Sequence, residues 1–576
     1  MNGLFVLIER EKIPSLTIRE RVFCAKRENF WLIFDGKLFN RNKLIQNHNL
    51  NATAHSDADI ALELFIQKNT DAFALLEGYW SLIVADLDKQ TVFAARDHFG
   101  NRPLYYCKTD TSLGIASESR ALFSTLKNAG EINKNAVFDF LLWGNIGKHQ
   151  QNFFSNIHEI KPSNYLSYSL IDNSLEEKPY YTLPYKNCKA GYNEYEEPFY
   201  IDKTRQLVLD TVQDNINGRD KIAIGLSGGM DSSTLLCCAK RLNPDLQIVA
   251  FTSANFYDEG ETFWAEKIIK HTNVEWVKVF CDSKLIIKQL EEASRIQNIP
   301  IFTTASVARH YLMEAASQRG FDAIMGEQGA DGLFAGYTDY FLPFLKSLRN
   351  QWMFKDWAKE LLTISNSTIS YKEIASRKLK DLAKKYYYNK ERLAKKTKFQ
   401  ELSFLNKAYQ NYSYLDNSIA DKSVLNDYLY ESYTIYLTSL LQFGERSAAN
   451  FEMNYLTPFS NSKALTECLF SVPSTFKIHN GWTKYLLRSS MVGIVPDEIR
   501  WRKQKVDFHL SESNYLNEIG NEMKQHIYEL EDADNFIDKT SLLDAWKTVY
   551  HSNNFHFQQF VFRYLSYLLW RKGIYE

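Results

Sequence analysis

Two rhythms of apolar and polar positions divide this chain. Up to about residue 185 the apolar residues fall in short alternating or continuous runs, at 5–8, 31–34, 79–85, 92–95, 104–107 and 113–116. Stretches such as Asp35-Gly36, Asp97-His98-Phe99-Gly100-Asn101 and Asp110-Thr111 separate them. Runs of that length bounded by turn residues predict strands, while helical spacing is confined to 57–67 and 134–142. The first part is therefore expected to be an α+β unit with much antiparallel sheet. Between 176 and 200 the pattern breaks into polar sequence bearing Tyr and Pro, which marks a linker.

From residue 201 strands and helices alternate. A helix to 216 precedes a strand at 221–226, a Gly-rich turn, and a helix over 231–242. A strand at 247–252, a helix at 261–271 and strands at 275–280 and 323–325 follow. This order predicts a parallel, doubly wound α/β sheet, and beyond Tyr337 the pattern is mostly helical. The Lys-rich segment 378–398, with Tyr386-Tyr387-Tyr388 inside it, reads as a solvated helix face; a docking surface for an acidic partner is the minority reading.

Composition removes several classes. A chain of 576 residues exceeds what one hydrophobic core serves. Apolar content of 45% and aromatic content of 14% exclude a disordered chain. A formal net charge of −1 gives no pull toward nucleic acid or an anionic membrane. Seven cysteines, without CxxC spacing, suggest neither a disulfide framework nor a zinc site. No run approaches the roughly 18 apolar residues of a membrane span, and the first eight residues lack the features of a signal peptide. A cytoplasmic enzyme is the expectation.

The chemistry concentrates at Ser227-Gly228-Gly229-Met230-Asp231-Ser232-Ser233, directly after the strand at 221–226. Gly228 and Gly229 let backbone N–H groups converge on an anion, and the following helix N-terminus adds partial positive charge. Asp231 repels phosphate, so it makes sense as a ligand of a bridging Mg2+, which prefers carboxylate together with phosphate oxygens. A tight turn with Asp231 capping the helix accounts for one Asp and one Gly, not for the heptapeptide. A second carboxylate lies in Gly326-Glu327-Gln328-Gly329-Ala330-Asp331-Gly332-Leu333-Phe334-Ala335-Gly336-Tyr337, after the strand at 323–325. Loops of a parallel sheet open together at its carboxyl edge, where Asp331 can complete the metal site begun by Asp231.

These residues together resemble the class B asparagine synthetase family, whose synthetase domain carries the SGGxDS loop of the PP-loop ATP pyrophosphatases and a second motif, GEGxDExFGGY or GQGxDELFGGY. Gly332 and Ala335 depart from the second motif, so Asp331 is the only carboxylate carried over there. The stretches Ala95-Arg96-Asp97-His98-Phe99-Gly100-Asn101-Arg102-Pro103-Leu104-Tyr105-Tyr106 and Ala116-Ser117-Glu118-Ser119-Arg120-Ala121-Leu122-Phe123 are similar to the family's ARDxxGxxPLYY and ASExKAL. Gly481-Trp482-Thr483-Lys484-Tyr485-Leu486-Leu487-Arg488 is similar to its GxTKYLLR. The resemblance implies a glutaminase-like, Ntn-type α+β sandwich over 1–188, followed by an α/β PP-loop synthetase domain with a helical C-terminal part over 189–576. It implies ATP and Mg2+, an acyl-adenylate, and release of pyrophosphate. Leu226, Ser227, Gly228, Gly229, Asp231, Ser232, Gly326, Gln328 and Gly329 would then hold ATP and pyrophosphate, with Asp231 and Asp331 on the metal. Lys484 would hold phosphate oxygens, and Lys505 matches the catalytic lysine; Lys503, two residues away, is the alternative register.

The N-terminal half departs from the family at its chemistry. The family's glutaminase uses a cysteine directly after the initiator Met; here that position is Asn2, whose carboxamide offers no ionisable nucleophile. Asp35-Gly36-Lys37 stands where the family has Asn-Gly-Glu, and a carboxylate repels an oxyanion. With no ammonia source, the attacking amine must come with the substrate, as in the β-lactam, carbapenam and lasso-peptide branches. The β-lactam branch has a tyrosine at the place of Gln328 as part of its base, and Gln cannot serve so. An ordinary peptide amine, with a pKa of about 8, is partly free without help. The segment 502–508 also resembles the lasso-peptide cyclases. The expectation is a macrolactam-forming cyclase acting on a precursor peptide beside a leader peptidase and a leader-binding protein, with no nucleic acid and no membrane. A small-molecule β-lactam-type synthetase and an ammonia-dependent asparagine synthetase remain alternatives, and a non-catalytic scaffold is the reading from a different class. Purified protein given glutamine should release no glutamate above background; measurable glutaminase turnover contradicts the role assigned to Asn2.

Overall fold

The computed structural model describes all residues outside 1–3, 10–14, 18–22, 51–55, 127–129, 145–151, 186–190, 255–258, 281–285, 298, 365–403, 405, 407–423, 503–515, 550–554 and 576. Among the described residues, eleven strands build the first domain: β1 (Phe5–Glu9), β2 (Ser15–Thr17), β3 (Phe23–Arg27), β4 (Phe30–Leu38), β5 (Gly78–Asp86), β6 (Thr91–Arg96), β7 (Tyr105–Lys108), β8 (Ser112–Ala116), β9 (His158–Glu159), β10 (Asn164–Ser169) and β11 (Leu175–Pro179). They form two antiparallel sheets, ordered β2-β1-β8-β7-β9 and β11-β10-β6-β5-β4-β3. Period-two alternation splits each strand between two cores. Ile33 of β4 and Ile83 of β5, with Leu166 of β10 in the same sheet, enter the core shared with Val6 and Ile115 of the facing sheet. Leu32, Phe34, Leu82 and Val84 point the other way, onto Ile60, Ala61, Leu64 and Phe65 of the helix Asp57–Lys68. That helix begins with a capping box, in which Ser56 Oγ accepts from the Asp59 N–H and the Asp59 carboxylate accepts from the Ser56 N–H.

The second domain is built on β12 (Lys221–Gly225), β13 (Gln247–Ala254), β14 (Glu275–Phe280), β15 (Ala323–Met325) and β16 (Asn454–Leu456). All pairs are parallel, in the order β14-β13-β12-β15-β16. The chain leaves β12 toward β13 on one side and returns to β15 on the other, so the crevice of a doubly wound sheet opens at the carboxyl end of β12. Ile224 pairs with Met325, which sets the loop after β12 beside the loop after β15. Helices cover the sheet, and the C-terminal helix Phe555–Tyr575 packs into one core with residues of the helix Lys134–Trp143 from the first domain. Among the described residues no helix is long and apolar enough to cross a membrane.

Several expectations are adjusted. Asp35-Gly36 is not a turn: it lies inside β4, where Gly36 pairs with Trp80 of β5. The runs at 23–27, 164–169 and 454–456 are strands that local patterning does not separate from loops, being short or rich in polar residues. The helix opening the second domain starts earlier, as Glu197–Ile216. The Lys-rich segment 378–398 lies outside the described residues. Phe34 is fully buried between sheet and helix, so Phe34→Ala should cost about 3–5 kcal/mol, measured as a loss of stability in urea unfolding.

Candidate active site

The phosphate loop grows out of a buried strand. Ile222, Ala223 and Ile224 fill the centre of the sheet, and the Leu226 N–H donates to the Phe251 carbonyl at 2.8 Å, carrying the chain one residue past β12. Gly228 then takes φ +67, and a Cβ there would meet the Ala265 backbone nitrogen at 2.4 Å. Only glycine fits that approach. Two hydroxyls pin the loop: Ser232 Oγ accepts from the Ser227 N–H at 3.2 Å and lies 3.0 Å from Ser227 Oγ, and the Gly229 N–H donates to Ser227 Oγ at 3.3 Å. The helix Met230–Leu242 starts there, with Gly229 as N-cap and Asp231 in its first turn. Its N-terminal dipole faces the crevice.

The second loop mirrors the first. The Gly326 N–H donates to the Leu456 carbonyl of β16 at 2.9 Å, and Gly329, at φ +103, caps the short helix Ala330–Phe334. Ala335 adopts φ +56, a left-handed conformation that costs a non-glycine residue about 1 kcal/mol or more.

The two aspartates meet on one lysine. Lys484 is buried; its ammonium pairs with Asp331 Oδ1 at 2.7 Å and with Asp231 Oδ2. Burial alone lowers the pKa of this ammonium, but the charges and hydrogen bonds of Asp231 and Asp331 outweigh it and hold it above the usual lysine range. Its charge therefore persists at neutral pH. Lys484 itself has φ +54 and follows a turn closed by mutual His479–Trp482 backbone bonds. Glu360, buried on the helix Phe354–Ile364, accepts from the Asn480 and Gly481 N–H groups at 2.7 and 2.9 Å. Gly336 completes the arrangement: a Cβ there would meet Lys484 Cε at 2.0 Å and Asp331 Oδ1 at 1.9 Å.

A cavity of about 490 Å3 opens at this point. Ser227, Gly229, Asp231, Gln328, Gly329, Asp331 and Lys484 line it, together with Glu327, Tyr337, Arg488 and Arg502. Leu226, Gly228, Ser232 and Gly326 are not on its surface; their atoms shape the two loops from behind. Lys505 and Lys503 lie outside the described residues, as does Asn2. Burial, and then the charge of Asp231, push the Glu327 carboxyl up. The charge of Asp331, and then burial, raise the Tyr337 hydroxyl.

Sequence reasoning missed Glu360, Arg488 and Arg502. Arg488 follows Lys484 by four residues; burial lowers its pKa to about 10, and its Nε donates to the Thr483 carbonyl at 2.8 Å. The i, i+4 spacing from Lys484 was the available signal. Arg502 donates to the Gly228 carbonyl at 3.2 Å and stacks 4.8 Å above the Trp264 ring. Nothing in the sequence near Glu360 marks it.

Among the described residues no group of three or more His, Cys, Asp or Glu side chains is placed to hold a metal by itself. Two carboxylates converging on a single cation nevertheless fit Mg2+, which takes one or two carboxylates and fills its octahedron with phosphate oxygens and water. In the first domain, Asp35 Oδ1 lies 3.7 Å from Arg102 Nε, and Lys37 Nζ donates to the Asn217 carbonyl at 2.9 Å. Lys37 thus reaches the second domain.

A parallel sheet with a glycine-rich anion loop, paired aspartates and a buried lysine at its carboxyl edge defines a PP-loop ATP-using enzyme. Residues 203–572 match the asparagine synthase family and residues 19–181 the glutamine amidotransferase domain. The first match spans well over half of the chain, and the chain belongs to the asparagine synthase family. It is 24% identical over 532 residues to asparagine synthetase [glutamine-hydrolyzing] 1 of Bacillus subtilis, covering 90% of this chain and 81% of that one. It is 22% identical to asparagine synthetase [glutamine-hydrolyzing] 3 of the same organism, over 84% of this chain and 76% of that one. It is also 25% identical to the amidase chyE of Penicillium rubens, over 52% of this chain and 45% of that one. The chain is an ATP-dependent amide ligase that releases AMP and pyrophosphate.

Gly336→Ala should displace the Lys484 ammonium and lower AMP formation by roughly 10²–10³-fold, the size expected for losing one preorganised electrostatic group, while circular dichroism stays unchanged. Near-normal AMP release from that variant would remove Lys484 from the site.

Proposed function

We propose that this enzyme closes a macrolactam on a peptide: a side-chain carboxylate is adenylated, and the peptide's own N-terminal amine displaces AMP. The observation that carries the reading is the division of charge around the cavity. Arg502 reaches the phosphate loop, Lys484 sits between the aspartates, and Arg488 lies one helical turn beyond it. The charged groups of the lining are Asp231, Glu327, Asp331, Lys484, Arg488 and Arg502, on the two loops and the 484–502 segment, while Thr338, Ser432, Tyr433, Tyr436, Leu437 and Leu440 add a wall of hydroxyls and hydrocarbon. A free aspartate brings an α-ammonium and an α-carboxylate, and burying such charges unpaired costs several kcal/mol each. A carboxylate carried on a peptide brings no second carboxylate to that wall.

The chain's own groups divide the work. The 227–232 loop and the N-terminus of its helix face the triphosphate of ATP. Asp231 and Asp331 would hold Mg2+, which offsets charge on the polyphosphate when bound. Lys484 remains charged and takes phosphate oxygens. A carboxylate oxygen of the substrate bonds to the α-phosphorus as the bridging oxygen leaves with pyrophosphate. The neutral amine then bonds to the acyl carbon, AMP leaves with the electron pair, and the amine proton passes to water. Asn2 and Asp35, at the positions where the family handles glutamine, support an amine delivered by the substrate instead of ammonia. Gln328, which lines the cavity, argues against a β-lactam-type base. The partners implied are a precursor peptide, a leader peptidase and a leader-binding protein. The rival reading, ammonia transfer to aspartate, is favoured by the names of the B. subtilis relatives.

Given ATP, Mg2+ and a leader-free precursor peptide with a free N-terminus, the enzyme should yield a product lighter by one water and one equivalent of AMP, read by mass spectrometry. Acetylating the N-terminus should stop the mass loss. Cyclisation of the acetylated peptide, or asparagine from ammonium and aspartate at a comparable rate, would sink the macrolactam assignment.

A further inference from the structure

We propose that the loop Asp97–Arg102 of the N-terminal domain is a positioning element of the synthetase site, holding the cavity wall from behind. The loop is itself tightly built. Asp97 Oδ1 accepts from the Phe99 and Asn101 N–H groups at 3.0 and 3.1 Å, and Oδ2 accepts from the Arg102 N–H at 2.9 Å. Arg96 donates to the carbonyls of Arg102 and Gly100 at 2.6 and 2.7 Å. Both Arg96 and Asp97 are fully buried. Arg96 also pairs with Glu159 and donates to the Ile160 carbonyl at 2.9 Å, and Asp97 Oδ2 accepts from the Trp80 N–H at 3.4 Å. These buried charges fix the loop on its own domain, while Phe99, Asn101 and Arg102 reach the other.

Three residues of the loop reach the second domain, each touching a segment that forms or backs a different part of the cavity. The Phe99 ring meets the Tyr433 ring edge-to-face with centroids 5.8 Å apart, and Tyr433 lines the cavity. Asn101 Nδ2 donates to the Ser460 carbonyl at 3.0 Å, and its Oδ1 accepts from the Thr457 hydroxyl at 2.8 Å. The segment 459–460 backs Gly329 so closely that a Cβ there would meet the Phe459 carbonyl oxygen at 2.7 Å. Arg102 pairs with Glu445 and donates to Asn454 Oδ1 at 2.9 Å. Glu445 belongs to the helix Leu437–Asn450, whose first turn supplies Leu437 and Leu440 to the cavity. One turn of π-helix, Ser432–Tyr436, runs into that helix and supplies Ser432, Tyr433 and Tyr436 to the same wall.

The physical reason such support is needed lies in the π-turn. A π-helical turn is a poorer packing arrangement than an α-helix and persists where tertiary contacts hold it. The helix that follows is gripped again about one and a half and two and a half turns past Leu437, where Glu159 of the N-terminal domain pairs with Gln442 and Tyr105 with Arg446. A rigid helix transmits that grip back to Leu437 and Leu440. A domain without its glutamine chemistry thus has a physical reason to persist, independent of which acyl substrate fills the cavity.

Amide hydrogen exchange on the full chain tests this. In Arg102→Met, amides of 433–441 should exchange at least about tenfold faster than in wild type, reporting local opening, while those of β12 and β13 keep their rates. Arg102→Lys, which keeps a charge on Glu445, should bring the wall back to within about threefold of wild type. Unchanged exchange at 433–441, or an equal rise throughout the synthetase domain, overturns the proposal. If Arg102→Met gives no folded protein, Phe99→Leu is read by the same two criteria, because it leaves the ion pair intact and removes only the Tyr433 contact.

Discussion

The buried ammonium of Lys484 between Asp231 and Asp331 is the constraint to which the rest of the synthetase domain answers. A lysine head group in the interior is costly unless opposite charge surrounds it, and removing one partner of such a cluster costs about 3–5 kcal/mol. Three chain segments far apart in sequence must therefore arrive together: the helix after β12, the loop after β15 and the turn at 479–484. The missing Cβ of Gly336, the left-handed backbone of Lys484 and the grip of Glu360 on two N–H groups are all conditions of that meeting. The arrangement is less a source of stability than a preset field. Charges fixed in the folded protein need no reorganisation when negative charge develops beside them, and that is where enzymes gain most electrostatically.

The N-terminal domain reaches the synthetase domain through a loop built on buried charge. In the ARDHFGNRPLYY stretch, Arg96 and Asp97 tie the loop together and to Glu159, Ile160 and Trp80 of its own domain, while Phe99, Asn101, Arg102 and Tyr105 reach the second domain. Lys37 of β4 also crosses that junction to the Asn217 carbonyl, and Asp35 lies beside Arg102. Substitutions here act on the synthetase cavity through packing and buried polar contacts, a route open because the two domains share one hydrophobic core around Tyr105, Phe140 and the C-terminal helix.

Legibility differed by the reach of the interaction. The strands β12 and β15 and their glycine-rich loops stood out because apolar run, turn and cap are contiguous in sequence, so the phosphate loop and both aspartates could be read together. The three residues of β16 could not: Asn454–Leu456 is a strand only because β15 lies beside it. Asp35-Gly36 looked like a turn because Gly commonly marks one; in the fold it is an interior strand pair with Ser81 and Trp80.

What the sequence determined by itself was local chemistry and period: two domains, an antiparallel and a parallel half, and a glycine-rich loop leading into a helix that carries a carboxylate in its first turn. What only the tertiary structure decided was which groups meet. Lys484 and Asp231 are 253 residues apart, Glu360 and Gly481 121, and Asn101 and Ser460 359. Contacts across such separations impose no periodicity on either partner, so no local pattern announces them. They exist because packing an amphipathic surface against its one complementary neighbour fixes side chains that the chain alone leaves free.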